Sequence, residues 1–472
     1  MRYAHAVAEV RAAERELMAR LPEGALMQRA AFGLATVAAG MLRASGSIYG
    51  SRVVLLVGVG DNGGDALYAG ALLAGRGVAV HALLADPGRA HADGLSALRD
   101  AGGRVATGDS ALDGADLIID GLLGIGGRGG LRGTFVVLAE AARESGAPML
   151  AVDLPSGIDA DTGEVGGAAI QADVTVTFGT HKPGLFIDPG ASHAGIVEFV
   201  DIGLEFPSSV APVLENLQEG DVRELLPGPS HSSHKYSRGV VGLAVGSERY
   251  PGAALLAVGA ALRSGVGAVR YSGPVDVVGA YPEVIEGGGR VQSWVVGSGL
   301  GQDDEAVRRL LNVLSTDVPA VVDADGLRLL PRKAIERAAP TILTPHAGEA
   351  AALLDVPAEQ IEGRRLEHVR RLADTYGATV LLKGADTLIA SPETATIRVN
   401  THASPVLATA GSGDVLAGLI GGLLAGGLSA YDAASVGAYL HGAAGLLAAR
   451  SGPVAAGDLV ASLPLAWHNI QK

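Results

Sequence analysis

Short apolar runs rich in Val, Ile and Leu recur through the first half of the chain, at residues 52–57, 79–84, 117–119, 149–152 and 174–177. None alternates apolar with polar positions, the pattern of strands covered on both faces. Residues 66–76 and 135–145 read as helices between them. Strands alternating with helices predict parallel βαβ units. The character changes at residues 205–220, where EFPSSVAP and ENLQEG read as a linker. The alternation then restarts, with strands predicted at 240–245, 294–296, 320–322, 341–343 and 379–382. No short repeat is visible, so the pattern predicts two α/β domains, residues 1–212 and 213–472, and not a repeat array.

Composition narrows what these domains can do. Aromatics are 4% of the 472 residues, so Ala, Val, Leu and Ile must build the cores. The net charge is −14 and no Lys/Arg stripe is visible, which argues against a nucleic-acid partner. An anionic small ligand can still be held by main-chain amides and helix N-termini. There are no cysteines, hence no disulfide, thiolate zinc site or Cys nucleophile; a reducing cytoplasm fits. The N-terminal MRYAHAVAEVRAAERELMARL carries charge throughout and lacks the apolar core of a signal peptide. The uncharged stretch 415–431 is short and glycine-rich, so a buried helix is expected there, with no membrane partner. The expectation is a cytoplasmic protein that assembles as a homo-oligomer.

Candidate chemistry gathers where predicted strands end. After the strand at 52–57 comes Gly58-Val-Gly-Asp-Asn-Gly-Gly-Asp65, in which Gly58, Gly60 and Gly63 match G-x-G-x-x-G. Asp86, near the end of the next strand, stands close to the roughly 20-residue spacing of the acid that reads a dinucleotide ribose. Alone, this motif fits a nicotinamide dehydrogenase, or a tight turn that binds nothing. Three further motifs point away from a dehydrogenase. Asp120-Gly-Leu-Leu-Gly-Ile-Gly-Gly-Arg-Gly130 sets an acid at a strand end before a loop of amides open to an anion. Val152-Asp-Leu-Pro-Ser-Gly-Ile-Asp159 puts Asp153 and Ser156 at the next strand's carboxyl end, where a loop cap is the plainer role for Asp153. Thr180-His-Lys-Pro-Gly184 follows VTVTF. Open α/β sheets bind ligands at such carboxyl ends.

Together these motifs resemble the NAD(P)HX epimerase family, known by its YjeF N-terminal domain, over about residues 1–205, including the helix with Leu26-Met-Gln-Arg-Ala30. The resemblance implies a Rossmann-like doubly wound sheet. It implies that Asp61, Asn62, Gly63, Gly64 and Asp65 bind substrate. It also implies that Gly124, Ile125, Gly126, Gly127, Arg128, Gly129 and Gly130 hold the substrate's phosphates. A potassium ion (K+) would take Asn62, Asp120 and Ser156, oxygen ligands suited to a hard monovalent cation. Asp153 would contact substrate and act as base, since epimerising a hydrated nicotinamide carbon moves protons. The family usually carries Asn and Gly where this chain has Asp61 and Ala66, and Asp61 adds negative charge beside a phosphate-bearing ligand.

The second half repeats the logic. Ser233-His-Lys-Tyr-Ser-Arg-Gly239, the strand VVGLAV and Gly246-Ser-Glu-Arg-Tyr-Pro-Gly-Ala-Ala254 open it. Val296-Gly-Ser-Gly-Leu-Gly301, Val322-Asp-Ala-Asp-Gly-Leu327, Thr344-Pro-His-Ala-Gly-Glu349 and Leu382-Lys-Gly-Ala-Asp-Thr387 each follow a strand. Ala410-Gly-Ser-Gly-Asp414 then runs into a helix. Its glycines expose amides at a helix N-terminus, with Asp414 facing the same pocket. That pairing suits phosphoryl transfer, the amides stabilising the moving group while the acid takes a hydroxyl proton. An ordinary N-cap is the plainer role for Asp414. As an ordered set these motifs resemble the ADP- or ATP-dependent NAD(P)HX dehydratases of the ribokinase-like fold, over about residues 220–472. The resemblance implies that Ala253, Gly301, His346 and Asp414 contact the hydrated cofactor, with Asp414 the base. It implies that Lys383, Gly384, Ala385, Asp386, Thr387 and Gly413 hold an adenine nucleotide with Mg2+.

The implied fold is a Rossmann-like doubly wound domain followed by a ribokinase-like α/β domain. The implied reaction interconverts R- and S-NADHX or NADPHX, phosphorylates the ring hydroxyl of the S form with ADP or ATP, and eliminates phosphate to restore NAD(P)H. ADP, yielding AMP, is the donor in bacterial-type relatives. Two other readings are open: a ribokinase-like small-molecule kinase, which would leave a stable phosphorylated product, and a non-catalytic N-terminal binding module.

Overall fold

The apolar runs become strands of two separate sheets in the computed structural model, which describes residues 1–228, 231–331, 337–402 and 405–472. One unit comprises Tyr3–Val213, the other Leu214–Lys472 together with Met1 and Arg2.

In the first unit the strands are β1 (Arg52–Val57), β2 (Ala79–Leu84), β3 (Arg104–Ala106), β4 (Leu117–Gly121), β5 (Met149–Val152), β6 (Val174–Phe178) and β7 (Ile196–Val200). All pairings are parallel, in the order β3-β2-β1-β4-β5-β6-β7. The chain winds one way from β1 to β3 and the other way from β4 onward. A crevice therefore opens between the carboxyl ends of β1 and β4, where a doubly wound sheet takes its ligand. Helices cover both faces, so β4 and β5 are buried throughout and show no alternation.

The helix Asp61–Ala74 starts in that crevice, five residues before the predicted start. Glycine is a poor helix former, which hides this first turn from the sequence. Packing explains it: a Cβ at Gly63 would stand 2.5 Å from the Gly58 carbonyl oxygen. The helix Ala25–Ser45 is long and apolar enough to cross a membrane. Here its Ala31, Leu34, Ala38 and Leu42 are buried in the core, against the helix Asp61–Ala74 and beside β6 and β7.

The second unit contains β8 (Leu214–Asn216), β9 (Val240–Ala244), β10 (Ala268–Tyr271), β11 (Ile285–Glu286), β12 (Ser293–Val296), β13 (Ala320–Val322), β14 (Thr341–Leu343), β15 (Thr379–Leu382), β16 (Thr387–Ser391) and β17 (Thr394–Asn400). Their order is β8-β17-β16-β15-β14-β13-β12-β9-β10-β11. The strands from β9 to β15 pair in parallel, whereas β15, β16 and β17 are antiparallel. The winding reverses between β9 and β12, which places a second ligand crevice there. The helix Ser412–Ala425, which runs into the uncharged stretch after Asp414, is buried almost throughout. Its glycines are contact surfaces: a Cβ at Gly418 would stand 2.1 Å from the Ala257 oxygen, and one at Gly421 would stand 2.1 Å from Val295 Cγ2.

The segment read as a linker is partly ordered secondary structure. Leu214–Asn216 pairs with β17, and Asn216 Nδ2 donates to Val399 O at 2.8 Å. Glu219–Leu225 is a helix whose Asp221 carboxylate accepts from Gln218 N at 2.8 Å and so caps the first turn. A three-residue strand carries too little pattern to register in sequence.

Candidate active sites

The β1/β4 crevice is built around Asp120, which is fully buried at the end of β4. Its carboxylate accepts from Ser156 N at 2.8 Å, Ser156 Oγ at 2.7 Å and Leu122 N at 3.2 Å. Burial pushes the Asp120 carboxyl up to about 6 despite those bonds. Asn62 donates through Nδ2 to Val152 O at 3.0 Å, which leaves Oδ1 turned toward Gly124; a Cβ there would lie 2.7 Å from it. Oxygens of Asn62, Asp120 and Ser156 thus converge behind the glycine-rich loop.

Asp153 follows β5 in the left-handed region, at φ 67°. An Asp tolerates this better than a branched residue. The Lys182 ammonium, 1% exposed, lies against the Asp153 carboxylate. Lys182 also donates to Thr177 Oγ1 at 3.1 Å and Phe178 O at 3.0 Å. Asp65 is buried nearby, and burial first, then Asp153, Asp61 and Glu14, hold its carboxyl well above the usual carboxylate range. Glu14, on the helix Val7–Met18, is raised for the same reasons, burial first. Asp61 sits at the helix start within this cluster. Gly64 packs where a Cβ would meet His91 and Met27 at 3.0 Å. Asp86 lies apart and caps its own turn, accepting from Gly88 N at 3.0 Å.

The loop 124–130 presents main chain. Gly127 N donates to Gly124 O at 3.0 Å. Among the described residues, the amides of Ile125, Gly126, Arg128 and Gly129 meet no acceptor. Gly129 and Gly130 take φ values of 73° and 80°, which glycine adopts without a Cβ penalty.

In the second unit the motif ends meet around Asp323, which is 2% exposed. It accepts from Thr344 Oγ1 at 2.7 Å, Ser298 Oγ at 3.2 Å and Lys383 Nζ at 3.0 Å. Glu349 stands 3.8 Å from the same ammonium. Asp414 joins this network from the first turn of Ser412–Ala425. Burial first, then the Asp323 charge, push its carboxyl up to about 6. Gly301 N donates to Asp325 Oδ2 at 2.9 Å, and Ala253 packs where a Gly299 Cβ would stand, 2.7 Å away.

A cavity of about 1200 Å³ opens beside this network. His346, Lys383, Gly384, Ala385, Thr387 and Gly413 all line it. Asp414, Ala253 and Gly301 lie outside its lining, and so does Asp386, which is buried against Arg365. His346 caps its helix, Nδ1 accepting from Gly348 N at 3.0 Å. The cavity's far wall includes His441, 6% exposed, whose Nε2 lies 3.2 Å from Ser412 Oγ. Burial lowers the His441 imidazole to about 4, so it is neutral.

Several of these residues carried no assignment from sequence. Asp323, Glu349, Ser412 and Lys182 stand inside motifs already singled out, so the motifs were a signal without a role. His441 lies mid-helix, and only the fold brings it to Ser412.

Two protein families match the chain: YjeF-related protein N-terminus over residues 23–184, and NAD(P)H-hydrate dehydratase over residues 241–464. The bifunctional NAD(P)H-hydrate repair enzyme Nnr of Mycobacterium leprae is 47% identical over 96% of each chain. The enzyme of the same name from Moorella thermoacetica is 36% identical over 96% of this chain and 94% of its own. The ADP/ATP-dependent NAD(P)H-hydrate dehydratase of Bacillus subtilis, co-crystallised with ATP and Mg2+, superposes with a TM-score of 0.51 at 30% identity. That match covers 54% of this chain and 97% of the other. Likeness at this level over nearly the full length establishes kinship: the chain belongs to the bifunctional NAD(P)H-hydrate repair enzymes.

Proposed function

We propose that residues 1–212 interconvert R- and S-NAD(P)HX and residues 213–472 dehydrate the S form. One observation carries this reading: at the carboxyl end of each sheet glycine amides stand with an aspartate, Asp153 after β5 in one and Asp414 in the first turn of Ser412–Ala425 in the other. In the first unit the loop 124–130 offers amides to the substrate's phosphates. Asp153, fixed by Lys182, takes the proton that the hydrated carbon's inversion requires. Asn62 Oδ1, the Asp120 carboxylate and Ser156 Oγ would hold K+. The buried Asp120 carboxylate fits this, because a cation beside it offsets the burial that disfavours its charge. Bound there, K+ supplies a fixed positive charge beside the phosphate loop.

In the second unit an adenine nucleotide occupies the cavity beside Lys383–Thr387 and Gly413. Asp414 takes the proton of the ring hydroxyl, whose oxygen accepts the terminal phosphoryl group. The carbon–oxygen bond then breaks with phosphate leaving, and loss of a neighbouring proton restores the double bond of NAD(P)H. ADP gives AMP in this scheme. Mg2+ enters with the nucleotide, as in the Bacillus subtilis relative, and neutralises its phosphates. The protein works as a soluble cytoplasmic homo-oligomer.

The test is to incubate mixed NADHX epimers with Mg2+ and ADP, and separately with ATP, while following absorbance at the NADH band. Complete conversion with phosphate release is expected. A halt at the S fraction would leave the first unit without its activity. A stable phosphorylated product and no NADH would overturn the dehydratase assignment.

A further inference from the structure

We propose that Arg11, on the helix Val7–Met18, is a substrate-binding residue of the epimerase site and, with Arg128, takes a phosphate group of the dinucleotide. The proposal rests on the epimerase reading above and deepens it.

A cleft of about 100 Å³ lies against the loop 124–130, lined among others by Arg11, Gly126, Gly127, Arg128, Asp159 and Asp161. A terminal nitrogen of Arg11 stands 3.2 Å from where a Gly126 Cβ would be. A side chain at 126 would crowd the guanidinium, so glycine lets it reach the main chain. The helix is anchored for this. Val7 N donates to Asp161 Oδ1 at 2.7 Å, and Val7 packs in a cluster with Leu154, Ile158 and Ile125. Arg11 is four residues on, on the same helix face.

Charge makes the case. The chain holds 50 acidic residues and 36 Lys and Arg, so acidic partners are plentiful. Yet among the described residues neither Arg11 nor Arg128 makes an ion pair or hydrogen bond. The two acids of the cleft are committed elsewhere. Asp159 Oδ1 accepts from Asp161 N at 2.9 Å and Thr162 N at 3.1 Å, while Asp161 holds Val7 N. Glu14, one turn along the helix, lies near enough for the Arg11 charge to lower it, yet forms no ion pair with Arg11 and is set among Asp153, Lys182, Asp61 and Asp65. Two unpaired guanidiniums beside unbonded loop amides form a site for a phosphate, which guanidinium grips through paired N–H···O bonds. That phosphate is either part of the diphosphate bridge or the 2′-phosphate of NADPHX.

The experiment is steady-state epimerisation of R-NADHX and R-NADPHX by full-length Arg11→Gln, with dehydration of S-NADHX by the same preparation as the folding control. KM is expected to rise about tenfold with kcat little changed, the size of one lost charge-assisted contact. Arg11→Lys should recover part of the loss, and Arg128→Gln should repeat it. A rise with both substrates assigns the diphosphate bridge; a rise with R-NADPHX alone assigns the 2′-phosphate. Unchanged KM for both substrates, or a fall in kcat alone, overturns the proposal. No epimerisation by the unaltered protein would instead sink the reading beneath it.

Discussion

Lys182 and Asp153 form an ion pair in which the lysine is withdrawn from water while the aspartate keeps one side toward the site. Removing either partner strands the other's charge. Breaking a buried pair costs roughly 3–5 kcal/mol. Lys182→Met should therefore lower the thermal midpoint and slow epimerisation, because the base loses its fixed orientation. Asp153→Asn should abolish epimerisation, with dehydratase turnover intact. Epimerisation by Asp153→Asn at the unaltered rate would show that the proton goes elsewhere.

The dehydratase should lose activity in acid. Asp414 must be ionised to accept a proton, and burial and Asp323 hold it at about 6. The acid limb of kcat/KM, which reports the free enzyme, should thus fall as pH drops through about 6. Asp323→Asn removes the like charge that raises Asp414, so the limb should move to lower pH. A limb that moves upward on Asp323→Asn, or a flat profile from pH 5 to 8 on the parent, would contradict this assignment of the base.

His441 makes a separate prediction about stability. Its imidazole sits at about 4 in the folded chain, against roughly 6.5 when unfolded. Between those values the unfolded state binds the proton and the folded state does not, so stability is complete above pH 6.5 and is lost as pH falls toward 4. The loss is on the order of 3 kcal/mol at most. His441→Gln keeps a polar partner for Ser412 but does not titrate. Its denaturant midpoint should fall less between pH 7 and 5 than that of the parent; equal falls would rule out His441 as a source.

What the sequence displayed and what it concealed follow from the same physics. Strands β1, β4 and β5 are buried along almost their whole length, so each carries an apolar run that composition makes visible. Strand β7 lies at the sheet edge, largely exposed, and its Ile196-Val-Glu-Phe-Val200 offers no such run. Strands β16 and β17 turn antiparallel after a parallel series, which nothing in a βαβ pattern announces. Site motifs were legible because close main-chain approach demands glycine, and glycine clusters stand out. The groups that act through those motifs were not. Lys182 reaches Asp153 from the end of the next strand, 29 residues on, and His441 reaches Ser412 from a different helix. Such pairings exist only once the sheet order is set.

The close approach of β1 to β4 can be tested directly. A Cβ on Gly58 would stand 1.9 Å from the Leu122 carbonyl oxygen, while one on Gly60, two residues away, meets nothing within 4 Å. Gly58 N also donates to Gly121 O at 3.0 Å, so the two strand ends are tied at the point that would have to open. Forcing atoms into packed space costs about 1–3 kcal/mol where side chains can yield, and main chain yields less. Gly58→Ala should therefore cost about 3 kcal/mol, displace the loop that follows Asp120 and remove most epimerase activity. Gly60→Ala should leave both stability and activity close to the parent. Equal melting and equal epimerisation by the two variants would mean that β1 and β4 do not meet as closely as the structure places them.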